Sequence, residues 1–150
     1  MKSLVFIFFL CIFYINNAVA HTSILDAQVR AFIPGASNSV AYLTLDNDTK
    51  DIRTLVKAEV EGINRVEIHQ HEFINGMMKM SQLHSLDIDA YSQVQFRPGG
   101  LHLMLFEPSQ FPTLGKKIKL KLYFSKGEPI SILADVVKIG EEKHNHSHHN

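Results

Sequence analysis

Residues 117–124, Lys-Ile-Lys-Leu-Lys-Leu-Tyr-Phe, alternate polar and apolar side chains without a break. Successive side chains of an extended strand point to opposite faces. Ile118, Leu120, Leu122 and Phe124 therefore form one apolar row, and Lys117, Lys119, Lys121 and Tyr123 the solvated one. A helix would scatter the same residues around its circumference and bury none of them cleanly. The pattern recurs along the chain. Ala41-Tyr42-Leu43-Thr44-Leu45 alternates and runs into the turn-prone Asn47-Asp48-Thr49-Lys50-Asp51. Val56, Ala58 and Val60 alternate with Lys57, Glu59 and Glu61 before a Gly62-Ile63-Asn64 turn, and Ser125-Lys126-Gly127-Glu128-Pro129 reads as a hairpin connection. Ile130, Ile132, Ala134 and Val136 share one face of the returning strand. Amphipathic helical spacing is hard to find anywhere. Roughly six to nine short strands separated by turns predict an all-β domain, an antiparallel β-sandwich or barrel.

The first twenty residues stand outside that pattern. Lys2, the apolar residues 4–14 and the small-x-small Ala18-Val19-Ala20 have the order of a secretory signal peptide cleaved after Ala20. The run is too short for an unstrained transmembrane span. Phe8-Phe9-Leu10 lacks the small residues usual before a lipidated cysteine. Removing Lys2 from a chain with 15 basic and 15 acidic side chains leaves a net charge near −1. Near-neutrality gives no electrostatic case for nucleic acid or for an anionic membrane surface. Cys11 is the single cysteine and leaves with the signal, so the mature chain has no disulfide, thiolate ligand or cysteine nucleophile. That suits an oxidising, exported compartment. The expected organisation is a signal at 1–20, one β domain at 21–140 and a polar tail at 141–150.

Alternation also orients the chemically distinctive residues. Val66 and Ile68 share one face of residues 65–71, and His69 and His71 share the other. In Leu101-His102-Leu103-Met104-Leu105 the leucines form the core row, and His102 and Met104 point away from it. Met77, Met78 and Met80 lie between these strands, and Pro98-Gly99-Gly100 makes a tight turn before the second. Taken singly, each has a plainer use: a surface histidine is usually a solvated polar group, and clustered methionines are usually packing. Taken together, neutral nitrogen and soft sulfur form a ligand set that favours monovalent copper. Such a site is expected near the sheet surface, open to a partner. Without a cysteine it does not suit a blue-copper electron carrier. Imidazole must be neutral to bind, with an ordinary pKa of about 6.5, so acid is expected to compete with the metal.

His69, ten residues, Met80, twenty-one residues and then His102-Leu103-Met104 resemble the H-x10-M-x21-H-x-M pattern of the PCu(A)C family of periplasmic copper chaperones. The surroundings are similar too: Val66-Glu67-Ile68-His69, Met78-Lys79-Met80, residues 97–105 and the tyrosine-containing residues 41–47. The resemblance spans most of the mature domain. It implies a cupredoxin-like antiparallel β-sandwich of Greek-key type. By correspondence it implies His69, Met80, His102 and Met104 as monovalent copper ligands; Met80 reads as a loop residue, so the same loop could offer Met77 or Met78 in its place. His71 is not one of the four matched positions and is held, with Met78, as auxiliary. The resemblance further implies delivery to the binuclear copper centre of cytochrome c oxidase. The implied partners are the oxidase's copper-bearing subunit and a thioredoxin-like, thiol-bearing assembly protein.

Residues 141–150 carry His144, His146, His148 and His149 among polar neighbours, a composition suited to borderline metals such as divalent copper. The broken histidine run is unlike an expression tag, and a passive solubilising end is the plainer alternative. His21, at the mature N-terminus, would pair an amine with an imidazole; His84 reads as a surface residue. Asn47-Asp48-Thr49 and Asn145-His146-Ser147 fit the glycosylation acceptor pattern. No local motif points to an enzyme. The rival functions are a copper-dependent redox enzyme and a metal scavenger or buffer for copper, zinc or nickel.

Overall fold

The computed structural model describes residues 21–141. The signal at 1–20 and the tail histidines lie outside the described residues. Ten strands follow one another: β1 (Thr22–Arg30), β2 (Asn38–Asn47), β3 (Arg53–Val60), β4 (Ile63–Ile74), β5 (Met77–Leu83), β6 (Leu86–Ile88), β7 (Ser92–Phe96), β8 (Leu101–Pro108), β9 (Lys117–Phe124) and β10 (Ile130–Val137). They hydrogen-bond in the order β5-β4-β8-β7-β2-β1-β10-β9-β3-β6, and β8 also pairs with β2. Val29, Leu43, Leu45, Ile68, Leu103 and Leu105 come from one part of this order, Leu55, Ile88, Leu120, Leu122 and Phe124 from the other, and all join one buried cluster. The all-β sandwich expected from alternation is what forms. Among the described residues no helix is long and apolar enough to cross a membrane.

Three details depart from expectation. The sheet is mixed: β1 runs parallel to β10, and β7 touches β8 in parallel at Phe96 and Leu101. Hairpin logic governs only neighbours in sequence, and β1 and β10 are the first and last strands. In β3 the register slips between Leu55 and Lys57, a bulge that leaves Val56 exposed and puts Leu55 into the core. The turn after β3 falls at Glu61 and Gly62, so Ile63 and Asn64 already belong to β4. Gly62 has φ +71° and its carbonyl accepts from both Ser109 N–H and Gln110 N–H; a Cβ there would lie 3.0 Å from Gln110.

Asn47, expected in a solvent-facing turn, is fully buried. Its Nδ2 donates to the carbonyls of Asp51, Ile88 and Asp89, and its Oδ1 accepts from Thr49. One side chain thus satisfies the backbone of two separate loops. A glycan on Asn47 Nδ2 would disrupt these bonds to the Asp51, Ile88 and Asp89 carbonyls. Asn145 lies outside the described residues.

Candidate metal site

β4 and β5 form a hairpin whose two-residue turn is Asn75-Gly76, with φ of +51° and +80°. Positive φ at both central positions matches the twist of the strands, and Asn-Gly is the pair that adopts it most readily. The tight turn sets the register: Ile74 faces Met77, Phe73 faces Met78 and His71 faces Met80. The methionines therefore lie on a strand, not in the loop that was expected. Met78 and Met80, two residues apart, share the face of His69 and His71, and Met77 takes the other. β5 ends the strand order and pairs only with β4. Met77, Met78 and Met80 are all exposed, Met80 at 51%.

β8 lies on the other side of β4. His69 sits opposite His102, and Glu67 opposite Met104. Met104 also faces Val40 of β2. Leu103 and Leu105 enter the core from the reverse face. The register brings His69, His71, His102, Met104 and Met80 onto one face. The depth of the site differs from expectation. His69, His102 and Met104 are buried, Met104 at 8% exposure, and only Met80 stands in solvent. β8 is an inner strand flanked by β4 and β2, so its outward side chains are walled in by neighbours on both sides.

Each imidazole is held differently. The His69 Nε2–H donates to Glu67 Oε2 at 2.8 Å, which leaves Nδ1 buried with no hydrogen-bond partner among the described residues. His102 Nδ1 donates to the Gly100 carbonyl at 2.9 Å, which leaves its lone pair on Nε2. The His71 backbone N–H donates to the same Gly100 carbonyl at 3.2 Å, and the buried His71 Nδ1 has no hydrogen-bond partner among the described residues. The His71 and His102 rings stack with centroids 4.9 Å apart, and those of His69 and His102 are 5.9 Å apart. Arg65 binds Glu67 and Glu107 and lies 4.0 Å over the Phe106 ring, which also approaches His69. The hydrogen bond from His69, then Arg65, holds the Glu67 carboxyl below its usual pKa against the effect of burial. Burial pushes His102 down, aided by His71 and His69 and opposed by the Gly100 bond, so it favours the neutral, metal-binding form.

Among the described residues, no three His, Cys, Asp or Glu side chains are disposed to hold a metal ion as they stand. A metal on this face must draw on the thioethers or move a ring. The groove of about 590 Å³ lined by Lys57, Glu59, Arg65, Lys119 and Lys121 contains none of the His or Met donors. Sequence reasoning missed Glu67 and Arg65 because neither is a soft ligand. Spacing alone would have placed Glu67 on the His69 face, two residues before it. His84 is exposed, as expected. His144, His146, His148 and His149 lie outside the described residues.

Residues 22–136 match the model of the LpqE-like lipoprotein family. Protein RP573 of Rickettsia prowazekii is 32% identical over 89 residues, which are 59% of this chain and 49% of that protein, so the match spans about half the relative's length. The copper-bound PCuAC domain from PmoF2 is 21% identical and superposes with a TM-score of 0.66, over 78% of this chain and 92% of that one. The solution structure of CuI-DR1885 from Deinococcus radiodurans is 24% identical with a TM-score of 0.68, over 85% and 87%. The identification with PCuAC-type proteins made from the spacing of His and Met is borne out at the level of family and fold. The chain belongs to the LpqE-like family and carries the β-sandwich of PCuAC domains.

Proposed function

We propose that this protein is an exported copper chaperone. It binds monovalent copper through His69, Met80, His102 and Met104 and passes it on in the periplasm after cleavage behind Ala20. The observation that carries this reading is the register across β5, β4 and β8, which aligns two imidazoles and two thioethers on one face. The buried Nδ1 of His69 supports it, since an orphaned polar atom needs a partner that the described residues do not supply. The copper-bound and CuI-bound structures of similar domains support the choice of metal. Copper is cargo in this scheme. The four ligands are neutral, and the Glu67 carboxylate behind His69 offsets the charge of the ion.

Transfer follows from the unequal exposure of the donors. Met80 is accessible, so an incoming thiolate displaces it first, and the three buried donors release the ion in turn. The proposed destination is the binuclear centre of cytochrome c oxidase, through its copper-bearing subunit and a thioredoxin-like assembly protein. The tail histidines are assigned divalent copper. The protein's role is stoichiometric transfer, with no turnover of its own. X-ray absorption on the monovalent-copper protein tests the site: two sulfurs and two nitrogens are expected, and an all-nitrogen or oxygen shell would overturn it. Loss of monovalent copper on removing residues 141–150, with binding retained in Met80→Ala and Met104→Ala, would instead make the tail the site.

A further inference from the structure

We infer that His71 is a fifth donor, giving this face a nitrogen-only set of His69, His71 and His102 for a borderline divalent ion such as divalent copper. The inference rests on the reading that His69 and His102 bind copper. It assigns the domain itself, beside the tail, a site for the oxidised ion.

Three observations converge on His71. Its Nδ1 is buried and has no hydrogen-bond partner among the described residues, an unfavourable state for a polar atom that calls for a ligand. Its ring stacks on His102 at 4.9 Å, and its backbone N–H is fastened to the same Gly100 carbonyl that holds His102 Nδ1. One backbone oxygen thus fixes the His102 ring and the His71 backbone. Finally, His71 faces Met80 directly across the hairpin, so imidazole and thioether approach the site from the same side.

Ligand softness decides which of the two is used. Thioether sulfur suits the monovalent ion, and imidazole suits divalent copper and zinc. The three imidazoles are not disposed to hold a metal as they stand. The nitrogen set therefore forms when the His71 ring turns off its stack on His102 as Met80 swings into solvent. Met80 is on the edge strand and already half exposed, so nothing in the core has to move.

The test uses the whole mature protein with His144→Ala, His146→Ala, His148→Ala and His149→Ala, so that the tail does not compete. Divalent copper is followed by electron paramagnetic resonance and chelator competition, and monovalent copper by competition under anaerobic conditions. His71→Ala and the size-conserving His71→Gln are expected to weaken divalent copper by about tenfold or more and reduce the coupled nitrogens from three to two. Monovalent affinity should then stay within about threefold, and Met80→Ala should show the reverse selectivity. Unchanged divalent affinity and nitrogen count in both His71 variants would overturn the inference, as would equal weakening of the two ions. Retention of monovalent copper by His102→Ala would be a failure of the underlying copper-site reading, seen in a different variant.

Discussion

Hairpins β9–β10 and β4–β5 obey the same alternation and bury opposite things. In β9–β10 the inward row, Leu120, Leu122, Phe124, Ala134 and Val136, is buried, and the outward row of β9 is mostly charged, with Lys117 on Asp135 at 2.6 Å; Leu133 is the exposed apolar exception on β10. In β4–β5 the row facing away from the core holds the imidazoles and thioethers, and Phe73, Met77 and Met78 near the turn stay in solvent. The first hairpin puts most of its apolar groups into the core. The second extends to the sheet edge, where Phe73 at 72% exposure contributes nothing to the core. Apolar groups that stability does not require are available for recognition and for holding soft metal.

The contrast is sharpest in a pair of substitutions. Leu122→Ala empties a fully buried site and should cost about 2–5 kcal/mol in chemical denaturation, while the folded fraction still binds monovalent copper. Met80→Ala should do the opposite. Its stability should stay within about 0.5 kcal/mol of the parent, because the side chain is exposed. Its monovalent copper affinity, measured by chelator competition, should fall about a hundredfold, some 2.7 kcal/mol. If Met80→Ala unfolds the domain, or Leu122→Ala alone abolishes binding in folded protein, the division of labour between the hairpins is wrong.

Smaller effects sharpen the same comparison. Glu67→Ala frees His69 Nε2 and should weaken monovalent copper by about tenfold, while Glu67→Gln, which still accepts the bond, should keep most of the affinity. On the β9 side, the Glu59 carboxyl is held below its usual range by hydrogen bonds, first from Lys57 and then from Tyr123. Tyr123→Phe should move the Glu59 titration upward in an NMR pH series and leave copper binding unchanged. A depressed carboxyl stabilises the fold above its unfolded-state pKa and loses that contribution as pH falls through the folded value. The variant should therefore lose a little stability near neutrality and lose the difference in acid.

The sequence was most informative where pairing is local. β9, its turn and β10 were legible because alternation and a short connection settle them together. Val56 was misread because a bulge inserts a residue and puts Leu55 in its place on the buried face of Ala58 and Val60, and nothing in the side chains announces it. The β4–β5 register was within reach: a two-residue Asn75-Gly76 loop sets His71 opposite Met80 by counting alone, yet Met80 was read as a loop residue. His69 opposite His102 was not within reach by counting, since more than thirty residues separate them and no turn sets that register. The burial of His102 and Met104 escaped for the same reason, because whether β8 is an inner or an edge strand depends on the whole strand order.

The position of β5 at the sheet margin has a consequence for motion. Its amides are tied to one neighbour only, and nearly all its side chains face water, so detaching it releases little buried surface. The free energy of opening the hairpin is therefore set apart from the free energy of unfolding the sandwich. On the proposed assignment of Met80 as a ligand, ion exchange would run on the timescale of a fraying strand while the sandwich keeps the protection of a closed core.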